Sequence, residues 1–110
     1  MRRCRRCEPV PEEVSLAADL LGRRWLLQVL YAAHTGATRF NEFRQAVGPV
    51  PPRTLAQRLV ELEEAGVVER VVVDTRPPYV EYRLTEEGRR LKIVVEALQR
   101  WAGGRASVTP

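Results

Sequence analysis

The chain has 110 residues, 45% of them hydrophobic and 29% charged, enough for one domain with its own core. No apolar run approaches the ~18 residues of a membrane span, and MRRCRRCEPVPEE lacks the apolar segment of a secretory signal, so a cytoplasmic protein without membrane association is expected. The 18 basic residues outnumber the 14 acidic ones, which favours an anionic partner such as nucleic acid. All but Lys92 are arginine, the side chain suited to bidentate phosphate and guanine contacts, although a GC-rich genome or thermophilic host gives the same bias.

Residues 1–11, with Pro9 and Pro11, read as a flexible basic arm. Cys4 and Cys7 sit in it at CxxC spacing, which serves a redox pair or half a zinc site. With His34 the only histidine, an intrachain zinc site is short of ligands. Four flanking arginines would depress the thiol pKa values, so Cys4 and Cys7 are candidate redox residues, and no metal or cofactor is expected. EEVSLAADLLG then puts Val14, Ala17, Ala18 and Leu21 on one helical stripe, with Gly22 as the stop. RRWLLQVLYAAHTG comes next, with Trp25, Leu26, Val29 and Leu30 at helical spacing. This second helix is apolar on most sides and is expected at the centre. His34 near its end reads as a surface residue complementing the helix dipole.

TRFNEFRQAVG is a short third helix with Phe40, Phe43 and Val47 inward and Thr38 as its cap. GPVPP makes a rigid turn, and Pro52 suits the first position of the next helix. There Leu55, Leu59 and Leu62 point inward, and Gly66 closes the helix. The period then changes. VVERVVV and YVEYRL flank DTRPP and predict a hairpin. TEEG starts the last helix with Thr85 as N-cap, and Leu91, Val94, Val95, Leu98 and Trp101 recur along it. Residues 103–110 read as a disordered tail. The expected fold class is α+β and mainly helical. It is a winged helix-turn-helix over residues 12–102, with additional N- and C-terminal helices.

The helix at about 52–65 is sorted by charge. Around Leu55, at about 100° per residue, Arg53, Gln57, Val60 and Glu64 fall opposite the buried face. Thr54 and Glu61 lie beside them, and Arg58 is on a flank. Arginine, threonine and glutamine therefore occupy the first two turns, and the acidic residues come later. A recognition helix inserts its N-terminal turns into the major groove, where Arg pairs with guanine, Gln with adenine, and Thr meets phosphate or a thymine methyl. Arg39 before the third helix and Arg76 in the wing at about 74–78 would reach adjacent backbone or minor groove. The candidate DNA-binding residues are Arg39, Arg53, Thr54, Gln57, Arg58 and Arg76.

In order and spacing, DLLGRRWLLQVL, TRFNEF, RTLAQRLVELEEAGVVER, PPYVEYRLTEEG and the closing Leu-to-Trp stripe resemble the HxlR family of bacterial winged helix-turn-helix transcription regulators, a MarR-like group. The resemblance runs from about Val14 to Trp101. It implies a homodimer on a palindromic promoter site, with the first and last helices forming the interface. Leu16, Leu20, Leu91, Val94, Val95, Leu98 and Trp101 are the candidates for it. The chain departs from the family pattern twice. Members often carry Cys-Pro just before the first helix, where this chain has Glu12-Glu13, so the redox role of that cysteine does not carry over to Cys7. Members often have Ser at the cap of the recognition helix, where Pro51 stands; that costs about 1 kcal/mol of capping, partly offset by the rigidity of PVPP.

The last helix carries a second apolar edge at Ile93 and Ala97, which independently suggests a partner subunit. Two other readings stay open: a thiol-based redox or metal-responsive switch on this scaffold, and a winged-helix protein-interaction module. A small-molecule or redox effector is open as well. An enzyme is not expected, because there is no Gly-rich phosphate loop, nucleophile-base set or carboxylate cluster outside solvated helix faces.

Overall fold

A computed structural model describes residues 7–108, with side chains through residue 105. Helices α1 (Glu12–Leu21), α2 (Leu26–His34), α3 (Phe40–Val47) and α4 (Pro52–Glu64) precede strands β1 (Val68–Val73) and β2 (Tyr79–Leu84), and then α5 (Glu86–Arg90) and α6 (Lys92–Val108). The strands pair antiparallel from Val68↔Leu84 to Val73↔Tyr79, leaving residues 74–78 as the wing tip. The expected winged helix-turn-helix is the observed fold.

The core forms around α2. Leu26, Val29, Leu30, Ala32 and Ala33 are all buried there, and Phe43 of α3, Leu55, Leu59 and Leu62 of α4, Val67, Val68 and Val95 of α6 close over them. Each buried leucine contributes about 1.5–3 kcal/mol relative to exposure. Trp25, expected inside the helix, instead precedes it as N-cap with φ of 72°. That left-handed conformation is unfavourable for a bulky residue. It turns the chain sharply between α1 and α2 while the indole still packs on the core.

The end of α4 is fixed by local chemistry. Gly66 adopts φ of 78°, its N–H donates to Glu63 O at 3.0 Å and the Val67 N–H donates to Leu62 O at 2.9 Å, a Schellman closure. Val67 and Val68 are thereby buried, and the hairpin starts from them. Thr85 caps α5 as expected, its Oγ1 accepting from the Gly88 N–H at 3.0 Å, and it also donates toward the carbonyls of Gly66 and Val67. One threonine thus ties the end of β2 to the end of α4.

Five further expectations change. Of the stripe Val14, Ala17, Ala18 and Leu21, only Leu21 packs against the core, and no residue of α1 is fully buried. Thr38 is not the cap of α3: Arg39 is the N-cap residue, and the Glu42 carboxylate accepts from the backbone N–H groups of Thr38 and Arg39, both at 2.9 Å. The last helix is two, α5 and α6, with Leu91 between them. Residues 103–110 are not a tail throughout, since α6 runs on through Gly103 and Gly104 to Val108. His34 is half-buried with its Nε2 inaccessible and without a hydrogen bond among the described residues. Burial, with Lys92 adding, holds its imidazole below the ordinary value, against Glu96 and the backbone of Gly88.

Gly88 and His34 each make this packing testable. A Cβ at Gly88 would lie 2.0 Å from Val67 O, so Gly88→Ala should cost about 1–3 kcal/mol or more in urea unfolding. Because the folded imidazole of His34 binds its proton only below 6.5, the unfolded chain takes up that proton first. Stability should therefore fall as pH drops from about 7 through 6.5 toward the lower folded value, and His34→Gln should flatten that interval in denaturation measured across pH.

Candidate nucleic-acid interface

With its leucine stripe buried, α4 has one orientation and shows a defined outer face. Arg53, Ala56, Gln57, Val60 and Glu64 are exposed, and Thr54 is half-buried on the flank. Pro51 and Pro52 begin the helix without a side-chain cap, leaving its first N–H groups open toward solvent, with the partial positive charge such ends carry. Arg53 has no hydrogen bond or ion pair to the described residues, so its guanidinium is free for an outside acceptor.

Arg58 is placed differently from its neighbours. Its Nε donates to Arg24 O at 2.7 Å, and its guanidinium pairs with Glu61 at 2.8 Å. Arg23 reaches the same carboxylate at 3.1 Å, and Gln57 Nε2 donates to its other oxygen at 3.2 Å. The Arg58 and Glu61 side chains are only 17% and 12% exposed, while Arg23 and Gln57 cover them from the solvent side. Burial alone would raise the Glu61 carboxyl, yet the bonds from Gln57, Arg23 and Arg58 hold it below its usual value. Of the residues expected to face DNA, Arg58 is thus committed to the turn between α1 and α2, and Gln57 is partly engaged. The spacing Arg58–Glu61 was visible as an i, i+3 pair, but the participation of Arg23 and the Arg24 carbonyl depends on how the helices pack.

The wing is attached to the helical body beside α3. The Tyr82 N–H donates to Thr38 O at 2.7 Å, the Tyr82 ring packs edge-on to Phe43 at 6.4 Å, and the Arg39 guanidinium lies 3.7 Å above the Tyr79 ring. Such a cation–π stack contributes about 0.5–1 kcal/mol at an exposed site. Arg39 makes no ion pair among the described residues, so its edge N–H groups remain open beside the start of α3. Arg76 is exposed at the wing tip. Tyr79 was not singled out from the sequence; a lone aromatic at a strand start carries no signal of its own.

The helices expected at a subunit interface divide. Leu16 is 61% exposed, Trp101 64%, Leu98 40% and Val94 36%. Ile93 joins them at 70%. Val95, by contrast, belongs to the chain's own core, and Leu20 and Leu91 are packed against it. A groove of about 320 Å³ lined by Leu27, Tyr31, Val47 and Leu98 continues this apolar surface. Cys7 is disulfide-bonded, and Cys4 lies outside the described residues.

Stability measurements should separate the two arginines of α4. Arg58→Ala removes charged hydrogen bonds from a mostly buried cluster and should cost about 1.5–3 kcal/mol in urea unfolding, whereas Arg53→Ala should stay within about 0.5 kcal/mol.

Comparison with known proteins identifies the family. The family model for the HxlR-like helix-turn-helix matches residues 20–108. YdeP, an HTH-type transcriptional regulator of Bacillus subtilis, is 42% identical over 94 residues, covering 86% of this chain and 72% of that protein. YodB, an HTH-type transcriptional regulator of the same organism, is 38% identical over 86 residues, 78% of this chain and 77% of YodB. The structure of the redox regulator HypR in its reduced form superposes with a TM-score of 0.80 at 37% identity, over 88% of this chain and 96% of HypR. These relatives are regulators rather than enzymes. From this match and the winged fold beneath it, the chain belongs to the HxlR-like helix-turn-helix family of transcriptional regulators.

Proposed function

We propose that the protein is a homodimeric, sequence-specific DNA-binding regulator that acts in the cytoplasm on a palindromic promoter site. The recognition helix at about 52–65 enters the major groove with its first turns leading, and the 74–78 loop rests on adjacent backbone or minor groove. The observation that carries this reading is the outer face of α4, where a free arginine and an open helix start project opposite a fully buried leucine stripe. Arg53 reads a base edge, with Thr54 and Gln57 beside it. Arg39 and Arg76 hold phosphates, and Arg58 serves the fold. The alternative of a protein-interaction module is disfavoured by these open arginines.

The dimer reading rests on α1. A helix that packs on the core through Leu20 and Leu21 at its end, with no residue fully buried and Leu16 at 61% exposure, is short of packing of its own. The exposed Ile93, Val94, Leu98 and Trp101 of α6 form the complementary apolar surface, of the kind that marks an interaction site. A two-fold dimer then sets two α4 helices about one DNA turn apart. Redox response is a second reading, favoured by the disulfide at Cys7 and by similarity to a protein described as a redox regulator.

Selection of random duplexes at near-physiological salt tests the main reading. It should enrich an inverted repeat with half-sites about one turn apart; weak, purely salt-sensitive binding would refute it. On the selected site, Arg53→Ala should cost about 1–3 kcal/mol and relax one base position, while Arg76→Ala should weaken all duplexes alike and lower the salt slope by about 1. Selection repeated with reduced and oxidised protein should differ if the thiols regulate binding; identical affinities would remove the redox reading.

A further inference from the structure

Within the DNA-binding reading, on which this inference rests, the face of α4 is short of free hydrogen-bonding groups. Arg58 is bonded to Arg24 O and Glu61, the Gln57 amide donates to Glu61, and Thr54 is half-buried. Arg53 is the exposed member with no hydrogen bond or ion pair to the described residues. Next to it lies an apolar surface: Ala56 and Val60 are exposed one turn apart, and Val60 keeps 40% of its surface in water. A β-branched residue adds nothing to helix propensity there, so the local fold gives no reason for a valine at this exposed position.

We propose that Ala56 and Val60 read the 5-methyl groups of thymine. The major groove presents one apolar feature, the C5-methyl of thymine, and a small apolar pair on a groove-facing helix is complementary to it. Arg53 supplies the charge that brings this face to the polyanion, so the apolar pair is desolvated only when the helix is seated. Val60 lies about 10 Å beyond Arg53 along the helix axis. The methyl that Val60 covers therefore lies within about three base pairs of the base that Arg53 reads, at the ~3.4 Å rise of a duplex. Specificity at that position comes from shape and burial rather than from hydrogen bonding.

The test alters the DNA before the protein. In the selected duplex, each thymine of one half-site is replaced singly by deoxyuridine, which removes the methyl and leaves every pairing and groove acceptor in place. Fluorescence anisotropy then gives the affinity of wild type, Val60→Ala and Ala56→Ser. At one or two positions, wild type should lose about four-fold in affinity, the effect of one buried methyl. Val60→Ala or Ala56→Ser should shrink the loss at its own position and leave the other unchanged. The Val60→Ala helix remains intact because alanine is the better helix former. Affinity unchanged by uracil at every position would overturn the proposal, as would a loss of equal size in wild type and both variants. Absence of any sequence preference would overturn the regulator reading with it, so the two failures are distinguishable.

Discussion

One-sided burial of α4 is the constraint on which the rest depends. Leu55, Leu59 and Leu62 are fully buried against α2 and its neighbours, and this fixes both the position of the helix and its rotation about its own axis. Rotation by one residue would carry a leucine into water and a charged side chain into the core, at several kcal/mol. The outer face is therefore as well defined as the inner one. The same burial locates the wing: the Gly66 closure passes the chain directly from Leu62 to the buried Val67 and Val68, where β1 opens.

The ion cluster at Glu61 gives α4 a second attachment, different in kind from the first. Leucines hold the helix to the core, whereas Arg58 and Glu61 hold it to the turn through Arg23 and the Arg24 carbonyl. That turn contains Trp25 in its strained left-handed conformation and sets the direction in which α1 leaves the body. The helix we propose for a partner subunit, α1, and the one we propose for DNA, α4, are thus joined through one polar cluster. At the other side of α4, Arg39 on Tyr79 and Thr38 on Tyr82 tie the wing to the start of α3.

Element order and the inward stripes of α2, α3 and α4 were legible in the sequence because each has a local cause. Pro52 suits only the start of a helix, Gly66 favours its end, and Thr85 caps the helix after the hairpin. The apolar periods of the helices differ from the β-branched alternation around DTRPP. The candidate site was legible in part. Arg53 and Arg76 stand where charge sorting and turn chemistry put them, on exposed surfaces. Arg58 looked the same in the sequence, but its length lets it fold back onto a carbonyl 34 residues away, a partner no local pattern names. Val95 and Val94 illustrate the same limit: of these adjacent apolar residues on α6, one is 7% exposed and the other 36%.

The sequence by itself determined the order of the elements from α1 to the hairpin, the winged helix-turn-helix they compose, and which face of α4 turns outward. All of these come from the spacing of apolar residues and the conformational limits of proline, glycine and threonine. Tertiary structure alone decided which charges are free and which apolar residues remain uncovered. Those properties depend on the atoms within about 4 Å of a side chain, and the neighbours that matter, Arg24 for Arg58, Tyr79 for Arg39 and Lys92 for His34, come from distant parts of the chain.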